Sequence, residues 1–333
     1  KDALTKARKT FESGLIDNSI MEYIKLTEEY PGHAIIYYNL GLIYRSNREY
    51  DLAVQQYQIA RTLNPFEEKY FRAVKAISQI YTQEGDDEYR RQEFNFAIEK
   101  YKKAITYYPN YTAAIYKLAR TYYKIKNYEN SRIILERGIL IDPQQEKIEK
   151  MLGDVYRKLD KTDESVTHYE QAIHINNNFY QAYYSLGSLY LSEGELNKAR
   201  NALMSTIIID STYSKAYGTL GTIEMELENI DGAIDNFHRA LKYDDTAYDI
   251  HFRLSSAYNI DKQYSNAKTS AKNSLNIKRN YAPALYELGF AEMNLCNIVA
   301  AKDSFGKAKK DRKFRKGASA YLKDIIYYTQ HCK

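Results

Sequence analysis

Between Tyr37 and Pro65 the chain reads YYNLGLIYRSNREYDLAVQQYQIARTLNP. Apolar or small residues fall three and four apart, first at Tyr37, Leu40, Gly41 and Tyr44, then at Ala53, Tyr57 and Ala60. That spacing predicts two helices, each with one buried face. Ser46-Asn47-Arg48 supplies the turn between them, and Pro65 stops the second. Gly41 in the first helix and Ala53 in the second are small enough to let two backbones approach where the helices cross.

The same set returns along the chain. It recurs at Ile115, Leu118, Ala119 and Tyr122, with Ser131, Leu135, Gly138 and Pro143 behind them. The small residue of the first helix then falls at Gly153, Gly187, Gly221, Ser255 and Gly289, in steps of 34. That of the second helix falls at Ser165, Ala199, Ala233, Ala267 and Ala301, again 34 apart. Further turns are read at Leu159-Asp160-Lys161 and Ser192-Glu193-Gly194. The N-terminal repeat is degenerate: Ala7, Ser19, Tyr23, Leu26 and Pro31 fit, but Lys6 and Thr10 stand where apolar residues are expected. The third departs too, because Ala53 and Ala97 are 44 residues apart, ten more than the period. Val74, Ile77, Ser78 and Tyr81 are read as its first helix. The surplus is placed around Thr82 to Glu93, with a few residues before Val74, giving an irregular or extended third repeat.

This pattern resembles the tetratricopeptide repeat (TPR) family, whose period is 34 residues. The resemblance covers nearly the whole chain and implies an all-α, right-handed superhelical solenoid of about nine helical hairpins with a C-terminal closing helix. The array is assigned to 1–315, with repeats near 1–33, 34–67, 68–111 (with the insertion), 112–145, 146–179, 180–213, 214–247, 248–281 and 282–315. Residues 316–333 are read as the capping helix, its apolar side made of Ala318, Tyr321, Leu322, Ile325 and Ile326. One hairpin cannot bury its apolar face alone, but a stack can.

Composition agrees with a helical array and offers little chemistry. The 333 residues include 5 Pro, 14 Gly, 35 Tyr and no Trp, so the large packing positions fall to Tyr, Phe and aliphatics. The formal net charge of +5 is too mild to point to nucleic acid. No window is apolar enough for a transmembrane segment. None of the six histidines lies three or four residues from another, so no local metal pair is expected. No nucleophile elbow or glycine-rich phosphate loop is present. The chain is read as not an enzyme, with no cofactor and no small-molecule substrate. Lys307 to Lys316 is densely basic, which a helix C-terminus favours.

In the family the first helix of each repeat lines an inner, concave groove. The resemblance therefore assigns partner binding to Tyr38, Leu42, Tyr116, Lys117, Arg120, Tyr123, Lys150, Arg157, Tyr184, Phe252, Tyr286 and Phe290. At the fifth groove position the chain carries Leu4, Tyr38, Tyr116, Lys150, Tyr184, Gly218, Phe252 and Tyr286, mostly aromatic. Two specialised family modes find no support: no repeat has the Lys–Asn pair that clamps a peptide carboxylate, and of the asparagine ladder only Asn39 is present. The expected function is a non-catalytic protein–protein interaction scaffold. It would hold a partner protein or peptide segment, one bearing acidic residues included, in an aromatic and basic groove within a larger assembly. The alternatives are a nucleic-acid-binding helical repeat, though nucleic acid is not the expected partner, and an accessory TPR region of an enzyme. Cys296 and Cys332 occupy equivalent places in adjacent layers and are a candidate disulfide, which would imply an oxidising compartment. With a first residue Lys1 rather than Met, the sequence leaves open whether a leader, anchor or upstream domain has been removed, and the reading leans to a bacterial cell envelope (periplasm or lipoprotein) over the cytoplasm.

Overall fold

The computed structural model describes residues 2–331 and contains 19 helices and no strand among them. The chain divides into two compact units, 1–161 and 162–333. The first holds α1 (Asp2–Glu12), α2 (Ile16–Glu29), α3 (Ala34–Ser46), α4 (Tyr50–Leu63), α5 (Glu68–Arg90), α6 (Phe94–Tyr107), α7 (Thr112–Lys124), α8 (Tyr128–Ile141) and α9 (Glu146–Lys158). The second holds α10 (Thr162–Ile175), α11 (Tyr180–Ser192), α12 (Leu196–Ile209), α13 (Ser214–Glu226), α14 (Ile230–Tyr243), α15 (Tyr248–Ile260), α16 (Tyr264–Ile277), α17 (Ala282–Asn294), α18 (Ile298–Ala308) and α19 (Arg315–His331). In the first unit α1 to α8 pair into four hairpins followed by α9, and in the second α10 precedes four more made by α11 to α18; odd-numbered helices up to α17 are the first helices of the repeats and even-numbered ones the second.

Within each unit the hairpins are closed at points of near contact. A Cβ added at Gly41 would lie 2.5 Å from the Tyr57 ring, and one at Gly221 equally close to the Phe237 ring. Gly289 faces Phe305 in the same way, at 2.8 Å. The backbones come close enough for direct bridges: Ser19 Oγ donates to the Ala7 carbonyl at 3.0 Å, and Ser131 Oγ to that of Ala119 at 2.8 Å. The absence of Trp is accommodated here. The largest fully buried aromatics, Tyr23, Tyr57, Tyr101, Tyr169, Phe237 and Phe305, all occupy one position of the second helix. Each such side chain contributes about 1.5–3 kcal/mol of burial.

The turn inside every hairpin is a left-handed cap. The residues with positive φ are Gly14, Arg48, Gln92, Lys126, Asp160, Gly194, Glu228, Lys262 and Cys296, spaced by 34 except for one step of 44. In the second hairpin the Arg48 amide donates to the Arg45 carbonyl at 3.1 Å and the Glu49 amide to that of Tyr44 at 2.9 Å. These two bonds make a Schellman motif. Only two of the nine caps are glycine.

The ten surplus residues take a more regular form than an irregular loop. They lengthen α5 to 23 residues, against 13 for α3 and α7. Helix α5 begins 34 residues after α3, so none of the surplus precedes Val74. The crossing residue of this hairpin is Gly85, whose added Cβ would lie 2.6 Å from the Tyr101 ring, rather than Ser78. Ser78 is buried two turns earlier. The longer helix brings Tyr81 to Asp51 of α4, with the phenol donating at 2.7 Å. The Tyr107 and Tyr81 hydroxyls hold the Asp51 carboxyl down at about 2.

At the other end, α19 covers the last hairpin. Ala318 and Ile325 are buried with Phe305, Ala308 and Leu285, and Tyr321 stacks on Phe305 with ring centroids 5.1 Å apart. Tyr321 and Leu322 pack at the margin as anticipated; the Ile326 side chain lies outside the described residues.

Non-glycine residues in left-handed caps cost about 1 kcal/mol or more. Lys126→Gly and Lys262→Gly are therefore expected to stabilise the chain by about 1 kcal/mol each, and Gly194→Ala to destabilise it by a similar amount. Thermal unfolding followed by circular dichroism reads both directions.

Candidate functional site: the first-helix faces

All twelve groove residues assigned from the sequence lie on first helices and are half-buried. In the first unit, Tyr38 sits between Tyr57 and Tyr70, ring centroids 5.7 and 5.2 Å away, with the Lys69 ammonium over its ring. Leu42 lines a cavity of about 350 Å³ with Arg8, Phe11, Tyr23 and Asn39. Burial raises the Tyr116 phenol, which Arg120 partly offsets. Tyr123 meets Tyr128 edge-on at 5.3 Å, and its phenol is raised by burial against the opposing pull of Arg157.

The positive charge expected around these residues is smaller than the sequence count suggests. Lys117 pairs with Asp86, which the lengthened α5 carries over to α7. Lys150 pairs with Asp154 one turn along at 2.7 Å. The Arg120 guanidinium lies 4.6 Å over the Tyr89 ring, also from the α5 extension, and its Nε is buried without a hydrogen-bond partner. The insertion thus supplies both an anion and an aromatic to the neighbouring first helix.

In the second unit the aromatics form a repeated staple. Tyr213, the residue that caps the start of α13, inserts between Tyr180 and Tyr184 of the preceding first helix, 5.1 Å from each. Tyr281 caps α17 and meets Tyr248 at 5.0 Å and Phe252 at 5.7 Å in the same way. Burial pushes the Tyr213 phenol up to about 12, with Tyr184 and Tyr180 adding to it. Tyr286 packs on Phe305, Phe314 and Tyr321, and Phe290 on Tyr264 and Tyr321. Tyr184, Phe252 and Tyr286, assigned to the groove from the sequence, thus also pack on rings of the repeat or helix that follows. Tyr213 and Tyr281 were missed as their partners, although both precede a first helix at one fixed position.

In the second unit one fifth position is not aromatic. Gly218 stands between Tyr184 and Phe252 in that series, and there the surface opens into a cavity of about 490 Å³. Its walls include Tyr184, Lys215, Thr219, Thr222, Asp249 and Arg253. A Cβ at Gly218 would lie 2.5 Å from Ile250 Cδ1, so the glycine lets α15 seat its isoleucine against α13. Arg253 Nη1 donates to Thr222 Oγ1 at 3.1 Å across the cavity. Asp244 accepts from the Thr246 amide at 3.1 Å and its hydroxyl at 2.7 Å, closing the turn before α15. In the next layer Glu287 takes the equivalent place to Arg253. Burial raises its carboxyl, which accepts from Asn259 Nδ2 at 2.7 Å.

Among the described residues no group of three or more His, Cys, Asp or Glu is arranged to hold a metal ion. No described helix is long and apolar enough to cross a membrane. Cys296 sits at the left-handed cap between α17 and α18. Cys332 lies outside the described residues, so its pairing with Cys296 stays an expectation.

The regular crossings, the Schellman caps and the staples define a helical-hairpin repeat protein. Family models agree: one described as TPR repeat matches residues 153–194, and two described as tetratricopeptide repeat match 90–154 and 4–68. The chain belongs to the tetratricopeptide repeat family. Hsp70-Hsp90 organizing protein 3 of Arabidopsis thaliana is 28% identical over 153 residues, covering 46% of this chain and 26% of that protein. Hsp70-Hsp90 organizing protein 2 of the same plant is 22% identical over 245 residues, 71% of this chain and 39% of the relative. These matches span only about a quarter to two fifths of the relatives' length. Two solved structures share the fold: Pseudomonas aeruginosa pilF, with a TM-score of 0.57 at 14% identity over 63% of this chain and 97% of that one, and the C-terminal part of a TPR repeat-containing protein from Cytophaga hutchinsonii, also 0.57, at 16% identity over 71% and 98%.

Because the staple joins repeats, Tyr213→Ala is expected to lower stability by about 2 kcal/mol. Ile208→Ala, on a second helix and 79% exposed, is expected to change it by less than about 0.5 kcal/mol. Paired denaturant titrations compare the two.

Proposed function

We propose that the chain is a non-catalytic protein–protein interaction scaffold that holds a segment of a partner protein along its first-helix faces, within a larger assembly. Membership of a repeat family that generally serves as scaffolding supports the class of function, as does the likeness to organizing proteins of the Hsp70 and Hsp90 chaperones. The observation that carries the location is the cavity at Gly218. Elsewhere in the second unit the fifth-position aromatics are already engaged by a neighbouring ring, whereas here a site large enough for one or two side chains stands open. A segment apolar at intervals suits the flanking Tyr184 and Tyr248 rings, and an acidic residue in it suits Arg253, which is in no ion pair with a carboxylate of its own unit among the described residues.

The test is a binding titration with peptides selected on the full chain from a displayed library. Thr219→Trp, which fills the cavity from its wall, is expected to weaken binding tenfold or more, about 1.4 kcal/mol. Ile208→Lys on the second-helix surface is expected to leave it unchanged. Normal binding by Thr219→Trp together with loss in Ile208→Lys would move the function to the second helices.

A further inference from the structure

Arg253 is placed in a way that its own helix does not explain. Asp249 lies four residues earlier on α15, the spacing at which an intrahelical ion pair forms. Elsewhere in the second unit that spacing is used: Arg239 reaches Asp235 at 3.0 Å, and Lys307 reaches Asp303 at 2.5 Å. Arg253 makes no such pair. It turns across the cavity to α13, where the Thr222 hydroxyl accepts one of its five N–H groups at 3.1 Å. Thr222 is itself fixed, since its hydroxyl also donates to the Gly218 carbonyl at 3.1 Å. The guanidinium is therefore held half-buried at the cavity wall with an edge of the fork unoccupied.

The other charges at the cavity do not fill that edge. Asp244 is spent on the Thr246 amide and hydroxyl at the turn before α15. Asp249 sits in the first turn of α15, where the helix dipole already favours an anion. Glu287, the carboxylate at the matching place on α17, is turned to Asn259. Lys215 adds a second cation at the rim, exposed and without an ion pair among the described residues.

We infer that the Gly218 cavity is a receptor for one acidic side chain, Asp or Glu, projecting from the interior of a partner segment, with Arg253 as its bidentate partner and Lys215 as a second, looser one. This rests on the first-helix face being the binding face. A guanidinium fork matches a carboxylate in a way an ammonium does not. The cavity of about 490 Å³ beside Thr219 and Thr222 gives a carboxylate room to reach it, while the space at Gly218 itself is taken by Ile250.

The test uses the full chain and a displayed library of peptides with amidated C-termini in the follow-up synthesis, so that no terminal carboxylate is present. Selected peptides are expected to share one acidic position. Changing that residue to its amide should weaken binding about tenfold or more, as should Arg253→Gln, and the two changes together should cost little more than either alone. Arg253→Lys should recover only part of the affinity. Circular dichroism confirms that each variant keeps its helicity. If no acidic position emerges, or Arg253→Gln binds every selected peptide normally while Thr219→Trp abolishes binding, the acidic receptor is wrong and the cavity still binds. If Thr219→Trp and Arg253→Gln are both neutral, the cavity is not the binding site and both readings fall.

Discussion

The structure depends on one close contact repeated along the chain: a small residue of a first helix lying against a large side chain of the second. At Gly41, Gly85, Gly221 and Gly289 a single added carbon would enter the ring it faces. The approach sets how tightly the two helices cross, and the crossing sets which residues face inward. Once Tyr57, Tyr101, Phe237 and Phe305 are enclosed, the rest of each first helix is left to contact the next repeat or a ligand. The left-handed cap serves the same contact. It reverses the chain quickly enough to bring the second helix back over the small residue, and it does so even where Arg48, Gln92 or Lys262 must adopt the conformation.

On the proposed function, the first-helix faces are a surface shared between two tasks. Aromatic residues there bind to the next repeat through Tyr213 and Tyr281, and basic ones are partly neutralised by Asp86 and Asp154. What remains for a partner is the surface these contacts leave unclaimed. In the second unit that is the break at Gly218 and the arginine beside it. A groove lined throughout by free aromatics would be a different molecule, with weaker joints between its repeats.

The hairpins, their period and the closing helix were legible because the small residues and turns recur at one spacing, which tertiary packing enforces. The lengthened α5 was half legible. Its ten extra residues include Gly85 followed by Asp86, Asp87 and Glu88, a composition that suggests a break. The helix instead runs through, since Gly85 is required against Tyr101. Ten residues at about 100° each leave the helix rotated by about 80° from its starting phase. Counted from Gly85 instead of Ser78, Asp86 and Tyr89 stand 31 residues before Lys117 and Arg120, the separation that also joins Thr222 to Arg253. That the twelve candidate residues lie on first helices was legible, but their neighbours were not. Whether an aromatic is free or stapled depends on a residue 29 positions away, as with Tyr184 and Tyr213. Gly218 did stand in the row of fifth positions, the one among the four of the second unit that is not aromatic.

The central claim, that the helix crossing governs the fold, is tested most directly by making one chemical change at two glycines of the second unit. Gly221 lies in the crossing, whereas an added Cβ at Gly306 on α18 would meet nothing within 4 Å. Gly306→Ala should stabilise the chain by up to about 1 kcal/mol through helix propensity alone. Gly221→Ala should destabilise it by about 1–3 kcal/mol, because the Phe237 ring must move. Equilibrium unfolding of the two variants beside the parent chain measures both. Opposite signs are the predicted result, and stabilisation by both substitutions would contradict the account.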